Sequence, residues 1–235
     1  MTTLPDARRD ELAASLAEVR ERIARACRTA GRDPGAATLV AITKTYPASD
    51  VDILASLGVT EVGENKDQEA AAKAAVVTAP LRWHFVGQLQ RNKAKSVVTY
   101  ADVVESVDSL RLATALDTAS ERLRERPLDV LIQVSIDGDV SRGGASIADV
   151  PGLAAHVGTC GRLRLGGVMA VAPRDWEPAR AFDVLADVAS RLRADHPDAT
   201  VISAGMSNDL EAAVARGATH VRIGTSLLGM RNPLR

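Results

Sequence analysis

Apolar positions along this chain follow two alternating patterns. Between residues 6 and 30, Leu12, Leu16, Val19, Ile23 and Ala26 recur at spacings of three and four, the period of one helical face, and Gly31 supplies a stop. After this first helix, short β-branched runs alternate with segments rich in Ala and Leu. The runs predict strands at 38–43, 59–63, 82–87, 102–106, 129–135, 164–171, 200–203 and 219–223. Helical patterns lie between them at 48–57, 65–77, 108–125, 147–157, 177–194 and 207–215, with Gly58, Gly158 and Gly217 as expected ends. Runs such as VLIQVSI and LGGVMAVA are continuously apolar, as in a parallel sheet covered by helices. Eight strands with intervening helices predict an α/β fold. The expectation is a single (β/α)8 TIM barrel with an extra N-terminal helix, one domain over residues 1–235. An open doubly wound sheet is the rival. The barrel is preferred because a phosphate-binding candidate follows the last two strands.

Composition narrows the function classes. With 46% hydrophobic and 25% charged residues, the chain has material for a sizeable core. A net charge of −1 argues against general nucleic-acid binding. The arginines between Arg20 and Arg28 are balanced by Glu11, Glu18 and Glu21, which reads as a solvated helix face. Cys27 and Cys160 form no CxxC and no disulfide framework, the N-terminus lacks a signal-like apolar stretch, and no run suits a bilayer. A cytoplasmic monomer with neither nucleic-acid nor membrane partner is expected. No Walker loop, GxSxG or HExxH occurs, and His84, His156, His196 and His220 are scattered, so no metal is expected.

The candidate chemistry starts in LVAITKTYP. The chain has five lysines against twenty-four arginines, and one of the five, Lys44, closes the first predicted strand. Catalytic groups of a barrel gather at C-terminal strand ends. A desolvated lysine loses its proton and attacks carbonyls, which arginine does not; the alternative is a lysine snorkelling from a strand end. Ala204–Asp209, AGMSND, opens a helix after strand seven, where Ser207 is either a phosphate donor or an N-cap. Strand eight ends in VRIGT, with Gly224 allowing close backbone approach to a ligand. Around a closed barrel these loops neighbour Lys44. A phosphate cradle beside a Schiff-base lysine fits pyridoxal 5′-phosphate or a class I aldolase. Arg222 favours the former, as a donor to a pyridine nitrogen that stays unprotonated; its alternative is a phosphate or carboxylate partner. Asn65 either meets a ring substituent or caps the next helix. His84 reads as a hydrogen-bonded core residue. Gln90–Lys95 reads as a solvated basic helix, and Ser141–Gly144 as a turn or an anion loop.

The stretches AITKTYP, VGEN with Gln68 and Glu69, WHFVGQLQRNK, Ser106–Asp108, GGVMAV, GMSND and VRIGTSLLG run in order from residue 39 to 230. Together they resemble the YggS/PROSC family of pyridoxal phosphate homeostasis proteins. The resemblance implies a barrel like the N-terminal domain of alanine racemase and pyridoxal phosphate bound covalently at Lys44. It also implies phosphate contacts from Ser207, Gly224 and Thr225, with Arg222 near the pyridine nitrogen and Asn65 near the ring. It further implies a carrier or regulator of vitamin B6 and amino-acid balance without established turnover, with apo-enzymes as recipients. Two positions depart from the family pattern: Lys66 stands where tyrosine is usual, and Arg142 where lysine is usual. Racemases of that fold add a second domain carrying a tyrosine acid/base. This chain ends eleven residues after Gly224 and has only Tyr46 and Tyr100, so a non-catalytic role is expected; a racemase-like enzyme and a class I aldolase are the alternatives.

Overall fold

The computed structural model describes residues 4–139, 141 and 143–229. Eight parallel strands close into a barrel: β1 (Thr38–Ile42), β2 (Glu61–Glu64), β3 (Arg82–Phe85), β4 (Val103–Val107), β5 (Leu128–Ser135), β7 (Leu163–Met169), β8 (Val201–Ser203) and β9 (His220–Ile223). A two-residue strand, β6 (Ala145–Ser146), pairs only with the end of β5. The other strands pair in chain order, β4 joins β5, and β9 returns to β1 with Val40 opposite Arg222. The helices α2 (Ala48–Ser56), α3 (Asp67–Ala74), α4 (Ala94–Tyr100), α5 (Leu110–Leu123), α6 (Val150–Thr159), α7 (Pro178–Asp195), α8 (Leu210–Ala215) and α9 (Thr225–Leu228) follow their strands, and a 3-10 turn (Arg91–Lys93) precedes α4. This is a TIM barrel, and the open sheet is excluded.

The N-terminal helix α1 (Leu4–Thr29) lies outside the barrel. Its buried stripe, Leu12, Leu16, Val19, Ile23, Ala26 and Cys27, packs with Leu210, Val214, Val221, Ile223 and Leu227 on the side where β9 meets β1. Its arginines are not simply a solvated face. Arg8 donates to Asp50 and to the Leu228 carbonyl, Arg20 to the Gly58 carbonyl, and Arg22 to Glu211 and the Ser207 carbonyl. Arg28 keeps the expected local partner, Glu21, and Arg8 also pairs with Glu11 at 2.8 Å. Long side chains reach across neighbouring elements, a choice that local charge counting does not see.

Strand ends shift by one or two residues from the apolar runs. Gly31, Gly58 and Gly217 take positive φ just after their helices, as expected, but α6 runs through Gly158 and ends at Thr159. The basic segment 90–95 is half right: the 3-10 turn leads into α4, whose Ala94, Val97 and Val98 are buried.

Two large apolar clusters fill the layer between sheet and helices, while only Val103, Leu131 and Met169, with Val201 against them, form an apolar group of their own. Much of the barrel centre is instead polar: His84, Glu105, Ser203 and Arg222 are all at most 5% exposed. Among the described residues, no helix is long and apolar enough to cross a membrane, and no group of His, Cys, Asp or Glu is assembled for a metal.

Candidate functional site

The C-terminal mouth of the barrel opens into a cavity of about 580 Å³. Lys44, Asn65, Ser207, Arg222, Gly224 and Thr225 all line it, with Ile42, Met169 and Met206. Six residues chosen from four separate segments thus meet in one hollow, because β9 pairs with β1 and the turn after β8 lies on the same rim.

Lys44 is half-buried and lies two residues past the end of β1, in a turn closed by the Tyr46 amide donating to the Thr43 carbonyl at 3.1 Å. The next residue, Thr45, has φ 71°, the one positive φ at a non-glycine among the described residues. A β-branched side chain in that region is strained and persists only where surroundings over-determine it. Those surroundings are visible. The Thr45 amide donates to Glu69 Oε1. Lys73 Nζ donates to the Thr43 carbonyl, to Glu64 Oε1 and to Glu69 Oε1, each at 2.7 Å, and Thr43 Oγ1 donates to Glu64 Oε1 at 2.7 Å. Glu64 is wholly buried, and that burial raises its pKa against the pull of Lys73. Glu69 is less enclosed; the Lys73 ammonium and the Thr45 amide outweigh its desolvation and hold its pKa low. A buried lysine with two carboxylates therefore sets the turn that carries Lys44.

Ser207 is not the N-cap of α8. The helix starts at Leu210 after Asp209, and Ser207 sits in the preceding turn, where Asp209 Oδ1 accepts from the Met206 amide at 2.6 Å. The Ser207 carbonyl accepts from Arg22 of α1 at 2.7 Å, which holds this turn from outside the barrel. Asn65 is likewise not a cap: Lys66 occupies that position before α3 without a side-chain bond. The backbone of Gly87 lies against Asn65, and a Cβ built at Gly87 would stand 2.2 Å from the Asn65 carbonyl oxygen. Gly224 is the N-cap of α9 and brings no side chain over its first turn.

Arg222, 5% exposed, is fixed on its barrel side. It donates through Nη1 to Ser203 Oγ at 2.7 Å and through Nη2 to the Ala170 carbonyl at 2.8 Å. Glu105 Oε2 lies 3.7 Å from Nη1, so a carboxylate partner exists, held behind the cavity by Ser203. His84 is a core residue, as expected. Its Nδ1 bonds Glu105 Oε1 at 2.7 Å, and its Nε2 stands 2.9 Å from Glu61 Oε2, an ion-pair distance out of line for a hydrogen bond. Burial alone would lower the imidazole pKa, but the two carboxylates raise it to about 9. Burial alone would raise Glu105; His84, Arg222 and the Ser203 hydroxyl pull it down to about 2.

Other expected groups stand apart. The Tyr46 hydroxyl donates to the Gly229 carbonyl at 2.7 Å and Tyr100 reaches Asp67 at 3.4 Å; neither lines the cavity. Lys66 is exposed and borders a neighbouring hollow with Gln88, Gln90 and Lys93. Ser141 is tied by its amide and hydroxyl to Asp139, a local turn, and Arg142 lies outside the described residues. The roles of Glu64, Glu69, Lys73, Glu105 and Ser203 were not anticipated. A faint signal existed for two of them: an acid inside the β-branched run VVESV, and a second scarce lysine in an Ala-rich helix.

The family model described as "Alanine racemase, N-terminal domain" matches residues 14–232. A pyridoxal phosphate homeostasis protein of Mycobacterium bovis is 46% identical over 251 aligned positions, covering 98% of this chain and 96% of that protein. A crystal structure of an unknown protein from Bifidobacterium adolescentis superposes with a TM-score of 0.89 at 30% identity, covering 97% of this chain and 98% of the other. PipY of Synechococcus elongatus, solved with pyridoxal phosphate bound, superposes with a TM-score of 0.82 at 32% identity over 93% of this chain and all of that one. A shared barrel, near-complete coverage and this level of identity lead to one conclusion: the chain belongs to the alanine racemase N-terminal domain family, among the pyridoxal phosphate homeostasis proteins.

Proposed function

We propose that this chain holds pyridoxal 5′-phosphate in the barrel mouth, as a carrier serving vitamin B6 and amino-acid homeostasis, without catalytic turnover. The observation that carries the reading is the convergence of an amine, a buried guanidinium and two loop backbones on one cavity of about 580 Å³, a size suited to a small aromatic ligand. The cofactor bound in PipY supports it. When bound, the cofactor supplies an aldehyde that condenses reversibly with amines.

This chain's residues do the rest. Lys44 is the covalent anchor for the aldehyde carbon. Ser207 and the Gly224 and Thr225 backbone hold the phosphate, and Asn65 meets the ring edge. Arg222 donates to the ring nitrogen and keeps it unprotonated, because a guanidinium does not release its proton; that weakens the ring as an electron sink. Both tyrosines are committed elsewhere, and among the described residues that line the cavity the one titratable group besides Lys44 and the arginines, Asp209, already accepts from the Met206 amide. That supports a holding role over proton transfer. The same reading takes residues 1–235 as one domain of a cytoplasmic monomer, with apo-enzymes as recipients and neither nucleic acid nor membrane as partner.

The test is borohydride reduction of the loaded protein followed by peptide mapping, with Lys44→Ala in parallel. The expected label falls on the peptide containing Lys44 and disappears in the variant. Ser207→Ala should release the cofactor faster with little change in its spectrum. A protein that takes up no pyridoxal phosphate would point to the aldolase alternative. Rapid stereoinversion of L-amino acids in D2O by the loaded protein would overturn the non-catalytic assignment.

A further inference from the structure

A line of polar groups runs through the barrel and ends at the cavity. It passes from Glu61 at the start of β2 to His84 on β3, Glu105 on β4, Ser203 at the end of β8 and Arg222 on β9. Glu105 is the centre of this line and is wholly buried. Both its oxygens are used: Oε1 faces His84 Nδ1 at 2.7 Å, and Oε2 accepts the Ser203 hydroxyl proton at 2.6 Å. Because that proton is committed to Glu105, the Ser203 oxygen turns its lone pair to Arg222 Nη1 at 2.7 Å. The Ala170 carbonyl takes Nη2 at 2.8 Å. Two bonds to different nitrogens fix the plane of the guanidinium, and its remaining N–H groups are left for the cavity that Arg222 lines.

Burying these charges is costly, several kcal/mol per ion. Barrel interiors are ordinarily filled by branched apolar side chains. A charged layer directly behind a cavity-lining arginine thus calls for a purpose. We infer that Glu105 is the positioning residue for Arg222, acting through the Ser203 hydroxyl to hold the guanidinium square to the ring nitrogen of the bound cofactor. The inference rests on the pyridoxal phosphate reading above. Glu105 does not touch the cofactor; it decides which way Arg222 points. The low pKa of Glu105 keeps it a full anion at working pH, so the hydroxyl orientation does not switch.

The experiment compares two ligands by equilibrium dialysis: pyridoxal 5′-phosphate, and the benzene analogue with the same aldehyde, hydroxyl and phosphate but carbon in place of the ring nitrogen. Wild type is expected to prefer the pyridine by about tenfold or more, the range of one hydrogen bond from a charged donor. Ser203→Ala and Glu105→Gln should bring that preference within about threefold, with the analogue's own affinity held to within about twofold. A merely structural role would weaken both ligands together. If Glu105→Gln does not fold, Ser203→Ala decides alone, because it leaves the His84–Glu105 pair in place. Full preference retained in a folded Ser203→Ala protein overturns the positioning role. Equal binding of both ligands by wild type overturns the assignment of Arg222 to the ring nitrogen, and binding of neither overturns the proposed function itself.

Discussion

Replacing Lys73 by methionine isolates the ion cluster beneath the Lys44 turn. The side chain is 8% exposed and that of Glu64 is 0% exposed, so the pair is screened little by solvent. Methionine keeps most of the volume and removes the ammonium, stranding Glu64 with the Thr43 hydroxyl as its remaining donor. Breaking one partner out of a buried ion pair costs about 3–5 kcal/mol. For a chain of this length that lowers the melting temperature by roughly 10 °C. Glu64 has one escape, to take up a proton, and burial already raises its pKa. In the variant the folded-state pKa rises further above the unfolded value. The folded protein then binds a proton that the unfolded chain does not, and stability increases as pH falls through that pKa. Each unit below it returns about 1.4 kcal/mol. Urea unfolding followed by circular dichroism at pH 8 and pH 5.5 should therefore show the full loss at the higher pH and a much smaller one at the lower. Lys73→Met combined with Glu64→Gln should recover most of the loss at pH 8, as a double-mutant cycle requires. A loss below about 1 kcal/mol at pH 8, or an equal loss at both pH values, would refute the assignment of this cluster as a buried, charge-compensated anchor.

Two further outcomes follow from the geometry. Glu105, held at about 2, contributes stability that is complete above the unfolded carboxylate pKa of roughly 4.3 and disappears as pH falls toward 2. His84, raised to about 9, contributes stability that is complete below roughly 6.5 and is lost as pH rises through 9, so melting curves should show the pair's full effect between about pH 4.5 and 6.5. His84→Gln should flatten the alkaline decline; an unchanged slope would count against the imidazolium. Gly87→Ala forces a Cβ to 2.2 Å from the Asn65 carbonyl oxygen and 2.8 Å from its Cα, both backbone atoms that cannot rotate aside. It should cost about 2–3 kcal/mol in urea unfolding, and a near-neutral result would mean the two loops separate easily.

The barrel was legible because its signals are local and repeated. Each β-branched run and each Ala/Leu helix reports its own period, and eight of them in alternation leave few packings. Lys44, Ser207 and Arg222 were legible for a related reason: strand ends and glycine-bounded turns mark where side chains of a barrel meet. What failed to show were groups defined by their partners. Arg22 reads as one more charge on a solvated helix until its bond to the Ser207 carbonyl is seen. Glu105 reads as an oddity in a strand until His84, Ser203 and Arg222 surround it. Ser207 and Asn65 each fitted a helix cap, and only the observed starts of α8 and α3 separated cap from cavity wall.

By itself, then, the amino-acid order determined the alternation of strands and helices, the closed sheet they imply and the residues offered at its mouth, because periodicity and turn chemistry act over a few neighbouring positions. Tertiary structure alone decided how those residues are held. The strained Thr45 turn, the Lys73 cluster beneath it and the axial Glu105–Ser203–Arg222 chain join positions up to 117 residues apart. The strength of such buried charges depends on desolvation and on distances of a few ångströms, quantities that exist only once the barrel has closed.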